Sequence, residues 1–176
     1  PFYANGNAPV LTSDVTTINP TAVDSDKTVL NLSWSNPKYS TDSATQKFVV
    51  EIDSAGHNFS NAYTTTVSGG LGTSFTAKQL NAIFQQFGFT PGTTFSVDIR
   101  VTSSYANNNE QYHSNVLTVD VTPYIVPITL SASSTNALVL TIDNAAYPAV
   151  GFGWTASEFG GATLYYALQV DIKGDN

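Results

Sequence analysis

The chain has no cysteine and no methionine, and only six Lys and Arg against thirteen Asp and Glu in 176 residues. Without cysteine there are no disulfides, no thiolate metal ligands and no cysteine nucleophile. A domain of about 100 residues can bury a sufficient core without such staples, so an extracytoplasmic location stays open. The cations are scattered and the formal net charge is −7. A nucleic-acid partner calls for a basic stripe that displaces counterions from phosphates, and the sequence has none. An acidic, polar surface suits a soluble protein or a neutral ligand such as a glycan. No apolar run approaches the roughly 20 residues of a membrane-spanning helix. The sequence opens on Pro1, so any targeting segment is expected upstream of it.

What is present favours strands. Hydrophobic residues make up 41% and aromatics 12%, while charged residues are only 11%. Thr, Ser, Asn, Val and Tyr are frequent, a profile that fits pleated, half-buried surfaces. Period-two alternation recurs. Leu30, Leu32 and Trp34 share one face of "VLNLSW". Phe48, Val50 and Ile52 share one face of "FVVEID", with Val49, Glu51 and Asp53 on the other. "FSVDIRV" and "LTVDV" alternate likewise. One stretch differs: in "TAKQLNAIFQQFG", Leu80, Ile83, Phe84 and Phe87 recur at helical spacing. There Thr76 is placed to cap the N-terminus and Gly88 to end the helix.

Strands are expected near 9–13, 28–34, 46–53, 62–67, 73–76, 93–102 and 114–122. About seven short antiparallel strands with regular turns predict an all-β, immunoglobulin-like sandwich with one short helix across one end. "LNAIFQQFGFTPGTTFSVDIRV" resembles the fibronectin type III pattern. In that pattern a Leu is followed by Pro-Gly-Thr and an aromatic that opens the sixth strand. Phe95 stands where that family usually has a Tyr, so its corner hydrogen bond is expected to be missing. Trp34 falls on the second strand, as in that family.

Part of the pattern is repeated. "VLNLSW" (29–34) parallels "AVGFGW" (149–154), and "KFVVEIDSAGHN" (47–58) parallels "YYALQVDIKGDN" (165–176). "APVL" (8–11) parallels "VPITL" (126–130). The reading is an N-terminal tether over 1–8, an immunoglobulin-like domain over 9–122, a linker over 123–127 and an incomplete second domain over 128–176. Three strands cannot close a sandwich. Leu138, Leu140, Phe152, Trp154, Leu168 and Val170 would face water, forgoing several kcal/mol at about 25 cal/mol per Å2. The expectation is that the protein continues beyond Asn176; the alternative is that a neighbouring chain donates strands.

Taken in order, "PFYANGNAPVL", "LSWSNPKYSTDSATQKFVVEIDSAGHNF", "SSYANNNEQYHSN" and "VTPYIVP" resemble the first domain of SusE-type outer-membrane lipoproteins of polysaccharide-utilisation systems. "ALVLTIDNAAYPAVGFGWTASEFGGATLYYALQVDIKGDN" is similar to the start of that family's next domain. The resemblance implies a non-enzymatic, surface-exposed accessory of glycan binding and uptake at the cell outer membrane. It implies a lipid anchor upstream of Pro1 as the membrane contact. It also implies a SusC-like transporter and a SusD-like binding protein as partners, and neutral polysaccharide bound by domains beyond this chain. The first domain would act mainly as a membrane-proximal spacer or docking unit. The alternative class is a structural or adhesive module assembled by strand donation.

No catalytic set emerges. His57 and His113 are the only histidines, and the neighbours of His113, Glu110 and Ser114, share one loop with it without defining a triad. Glu51, Asp53 and Asp98 read as a solvated polar face and not as a glycosidase pair. "DSD" (24–26) and "DNA" (143–145) offer too few oxygens for a tight calcium site. No cofactor or metal is expected. The candidate glycan-binding or docking residues are Tyr105, Asn107, Asn108, Asn109 and Tyr112, because aromatic faces stack on sugar C–H surfaces and amides bond hydroxyls. The competing reading is that the asparagines make a turn and the tyrosines pack on the rim. The resemblance also implies O-glycan acceptors at "DSA", which places Ser43 and Ser54 as candidates; the competing reading is that both are ordinary polar turn residues.

Overall fold

Alternation decides the strands and the sheets pack them. In β3 (Thr28–Trp34), Leu30, Leu32 and Trp34 are buried while Asn31 and Ser33 face out. β3 lies between β1 (Leu11–Ser13) and β6 (Gly72–Thr76), antiparallel to both. The second sheet runs in the order β2 (Thr17–Ile18), β9 (Leu117–Val121), β7 (Phe95–Ser104), β4 (Lys47–Ser54) and β5 (Tyr63–Ser68). Short β8 (Tyr112–His113) also pairs with β7. The two sheets enclose one core: Leu11, Leu30, Leu32, Trp34 and Phe75 meet Phe48, Val50, Ile52, Val97, Ile99 and Val119. The Trp34 and Phe48 rings sit 5.4 Å apart in its middle. This is an all-β immunoglobulin-like sandwich with one short helix. These statements describe residues 6–134, 136, 138–155 and 165–171 of the computed structural model.

Helix α1 (Ala77–Gln86) follows β6 directly. Thr76 accepts from the Gln79 N–H while Gln79 accepts from the Thr76 N–H, a reciprocal cap. Gly88, at φ +75°, takes the left-handed conformation that stops the helix. Leu80, Ile83 and Phe84 then insert into the core.

The expected strands match the observed ones to within about three residues at their ends, as boundaries usually do. Two short strands were not separated by the pattern. The N-terminal segment changes sheets after Ser13, and Thr17 and Ile18 pair in parallel with Asp120 and Val121. Tyr112 and His113 pair with Ser103 and Thr102. Phe95 is half-buried, not enclosed with Trp34 in the centre. It stacks on Phe89 at 4.2 Å and 8°, so the connection after the helix covers the ring.

The chain divides at residue 125 into two units. In the second, β10 (Leu130–Ala132) pairs antiparallel with β11 (Phe152–Trp154), and Leu130 stands opposite Trp154. In the first unit Leu11 stands opposite Trp34 in the same way. The repeated sequence thus has a repeated register. Leu138, Leu140, Phe152, Trp154, Leu168 and Val170 are exposed. Of the stretch 165–176, expected to repeat the 47–58 strand, residues 172–176 lie outside the described residues, and 165–171 contain no strand.

Candidate functional site

β7 ends at Ser104, opposite Lys47 where β4 begins. The loop that follows therefore lies at the N-terminal pole, beside the connection from β3 to β4. Its backbone closes on itself: Tyr105 donates to the Asn109 carbonyl at 3.0 Å and Asn108 to the Tyr105 carbonyl at 2.9 Å. Asn108 and Glu110 take φ of +66° and +55°, a conformation that asparagine tolerates better than most residues. Asn107 accepts the Asn109 N–H at 3.1 Å, and Asn108 accepts Lys47 Nζ at 2.7 Å. Asn107 to Asn109 are exposed, while Tyr105 and Tyr112 are half-buried.

What organises this loop is Tyr39, which no periodicity or motif of the sequence singles out. Its ring is 5% exposed and lies 4.7 Å from Tyr105 and 6.1 Å from Tyr112. Its hydroxyl donates to the Glu110 carbonyl and lies 3.1 Å from Ser103 Oγ. Burial raises the Tyr39 hydroxyl above the usual tyrosine range, so it stays a neutral donor. Tyr112 is raised too, by desolvation and by the neighbouring Glu110 carboxylate, which accepts its hydroxyl at 3.3 Å. Gly6 lies flat on the Tyr39 ring, where a Cβ would come within 2.3 Å of Cε1. The geometry is thus a three-tyrosine cluster with two half-open rings and three exposed amides around it. Such a surface can stack on an apolar or sugar face. Most of its mapped polar contacts hold the turn.

The acidic face differs from its reading as a solvated surface. Glu51 receives Arg100 through two hydrogen bonds of 2.8 Å and Thr102 Oγ1 at 2.7 Å. Burial alone would raise the Glu51 carboxyl, but these donors outweigh it and hold it below the usual range. The Thr102 hydroxyl gives its one proton to Glu51, so its 2.8 Å contact with His113 Nδ1 places the proton on that nitrogen. The Arg100 guanidinium lies 4.1 Å from the centre of the Phe59 ring. Asp53 is only 1% exposed, a correction to its outward reading. The 54–61 loop folds back over it, and it accepts the N–H of Ser54 at 2.8 Å and of Asn61 at 3.2 Å.

The other expected positions scatter. His57 lies in the loop after β4 and His113 on β8, near opposite ends of the sheet. Ser43 is exposed in a turn that Asp42 caps by accepting the Ala44 N–H at 3.0 Å. Ser54 ends β4 and is half-buried. Asp24 is bound by Thr21 and Lys27, and its carboxyl is held far below the usual range. Among the described residues no three His, Asp or Glu converge as a metal site.

A family model described as SusE outer membrane protein matches residues 1–102. That stretch runs from before β1 into β7 and takes in α1 and Tyr39. No curated protein matches the chain.

Proposed function

Because the chain belongs to the SusE outer membrane protein family, and so to the outer-membrane proteins of glycan-utilisation systems, we propose that it serves as a non-enzymatic, surface-exposed accessory of polysaccharide uptake. Residues 9–122 act as a spacer and docking domain close to a lipid anchor. Glycan is held by domains beyond this chain, and the partners are a SusC-like transporter and a SusD-like binding protein. The observation that supports a spacer over a glycan-binding domain is the loop at 105–112. Asn108 is bonded to Lys47, Asn107 to its own turn and Tyr39 to Glu110. The half-open rings of Tyr105 and Tyr112 are the part left to meet a partner.

The test is co-purification from the native host with and without Tyr105→Ala and Tyr112→Ala, together with protease shaving of intact cells. Loss of the transporter from the purified complex, with surface cleavage retained, is the expected result. Unchanged co-purification would remove the docking role, and protection of the protein in intact cells would remove the surface reading.

One observation favours the second reading, an adhesive module built by strand donation: the exposed apolar side chains of the second unit, Phe152, Trp154 and Leu168 among them. Sedimentation of residues 1–176 checks it, since strand donation gives an oligomer that grows with concentration.

A further inference from the structure

Many domains bring their termini close together. This one carries its chain through from pole to pole. At the N-terminal pole, Leu11 begins β1 opposite Trp34, the last residue of β3. At the other pole Val121 ends β9 opposite Phe95, the first residue of β7.

Both passages are pinned by the same device, a side-chain amide that both donates to and accepts from the backbone of one residue. Asn115 Oδ1 accepts the Leu11 N–H at 2.8 Å, and its Nδ2 donates to the Leu11 carbonyl at 3.1 Å. Asn81 Oδ1 accepts the Tyr124 N–H at 2.9 Å, and its Nδ2 donates to the Tyr124 carbonyl at 3.1 Å. Asn81 is 4% exposed and Tyr124 8%, so the second pair is shielded from water that would compete with it. Gly92 donates to the Pro123 carbonyl at 2.8 Å, and the Tyr124 hydroxyl donates to Ser25 Oγ at 3.2 Å.

Between the pins β2 and β9, the strands of the large sheet that come first and last in the chain, run in parallel. Asp120 N–H donates to the Thr16 carbonyl at 3.0 Å and Thr122 N–H to the Ile18 carbonyl at 2.9 Å. Tension applied upstream of Leu11 and downstream of Tyr124 slides β2 and β9 past each other along their length. The bonds between them lie across that direction and must yield together. Tension across the sheet instead opens a ladder one bond after another.

We propose that residues 6–125 form a load-bearing strut. Its resistance to axial tension resides in the β2–β9 pairing, and the Asn115–Leu11 and Asn81–Tyr124 clamps deliver load to the core before the terminal strands can peel. The proposal deepens the spacer reading and rests on it for its biological purpose, not for its physics.

Single-molecule pulling of the full 176-residue chain tests it. The absence of native cysteine allows handles to be attached at chosen pairs. Ala8→Cys with Ile125→Cys loads the axis; Thr17→Cys with Thr66→Cys loads the sheet from edge to edge. The axial rupture force is expected to be severalfold the lateral one, because forced unfolding reads the barrier along the pulled coordinate. Asn81→Leu and, separately, Asn115→Leu should lower the axial force and leave the lateral force in place. Equal forces in the two geometries would overturn the proposal, and so would variants that lower both forces in proportion, since that marks ordinary stability residues. Asn115 lies in an exposed segment, so its variant keeps the test available if Asn81→Leu does not fold. A protein absent from the cell surface would end the spacer reading and leave the force ratio as measured.

Discussion

Asp53 and Asp98 stand directly opposite each other on β4 and β7, two carboxylates where a sheet normally avoids like charges. Each is held by other donors. Asp53 takes the N–H groups of Ser54 and Asn61, and Asp98 takes the Gly56 N–H at 3.0 Å and Thr118 Oγ1 at 2.7 Å. The pair therefore fixes the 54–61 loop. Asp53→Ala should destabilise by about 1–3 kcal/mol in urea unfolding, because it removes a buried acceptor and strands the N–H donors of Ser54 and Asn61. Asp98→Asn should cost less, since the amide keeps an acceptor oxygen and removes one of the two like charges. A larger loss from Asp98→Asn than from Asp53→Ala would overturn that order.

Trp34 and Phe95 should separate in the same assay. Trp34 is 4% exposed and packs on Phe48 in the centre, so Trp34→Ala should cost about 3–5 kcal/mol. Phe95 is half-buried and leans on Phe89, and its loss should fall below that range. A larger penalty at Phe95 would mean that the Phe89–Phe95 stack, and not the Trp34–Phe48 contact, closes the sandwich.

Acid should weaken the domain through Glu51 and Asp14. Asp14 is lowered by the side-chain and backbone donors of Asn31. Glu51 is lowered because Arg100 and Thr102 outweigh its burial. In both, the folded state binds protons less readily than the unfolded chain, whose carboxyls titrate near about 4. The stabilisation is therefore complete above that value and is lost as the pH falls through the lower folded value. Glu51→Gln should be less stable than the natural protein near neutral pH, and the gap should narrow as the pH falls. Stability curves that stay parallel across the acid range would remove Glu51 as a contributor.

Modification should distinguish the two serines of the "DSA" stretches. Ser43 is exposed on a short turn, while Ser54 is half-buried at the end of β4. Material from the native host should carry an O-linked glycan on Ser43 ahead of Ser54. Peptide mass spectrometry checks this, and bare peptides at both positions would refute it for that preparation.

Strand and helix positions were legible because their cause is local. Leu30, Leu32 and Trp34 repeat at the period of a pleat, and Leu80, Ile83 and Phe84 at that of a helix, whatever the rest of the chain does. The parallel between Leu11 and Leu130 was legible for the same reason, and their shared register opposite Trp34 and Trp154 followed from it. Other features depended on where distant segments came to rest. Tyr39 meets Ser103 and Glu110 across 64 and 71 positions, and Asn115 meets Leu11 across 104. Asp53 looked like an outward residue by alternation and was buried by the loop that follows it. Hydrophobic period fixes which face of a strand turns inward. It carries no information about which loop folds over the other face, or which amide meets which backbone, because those follow from sheet register and loop path once the core has closed.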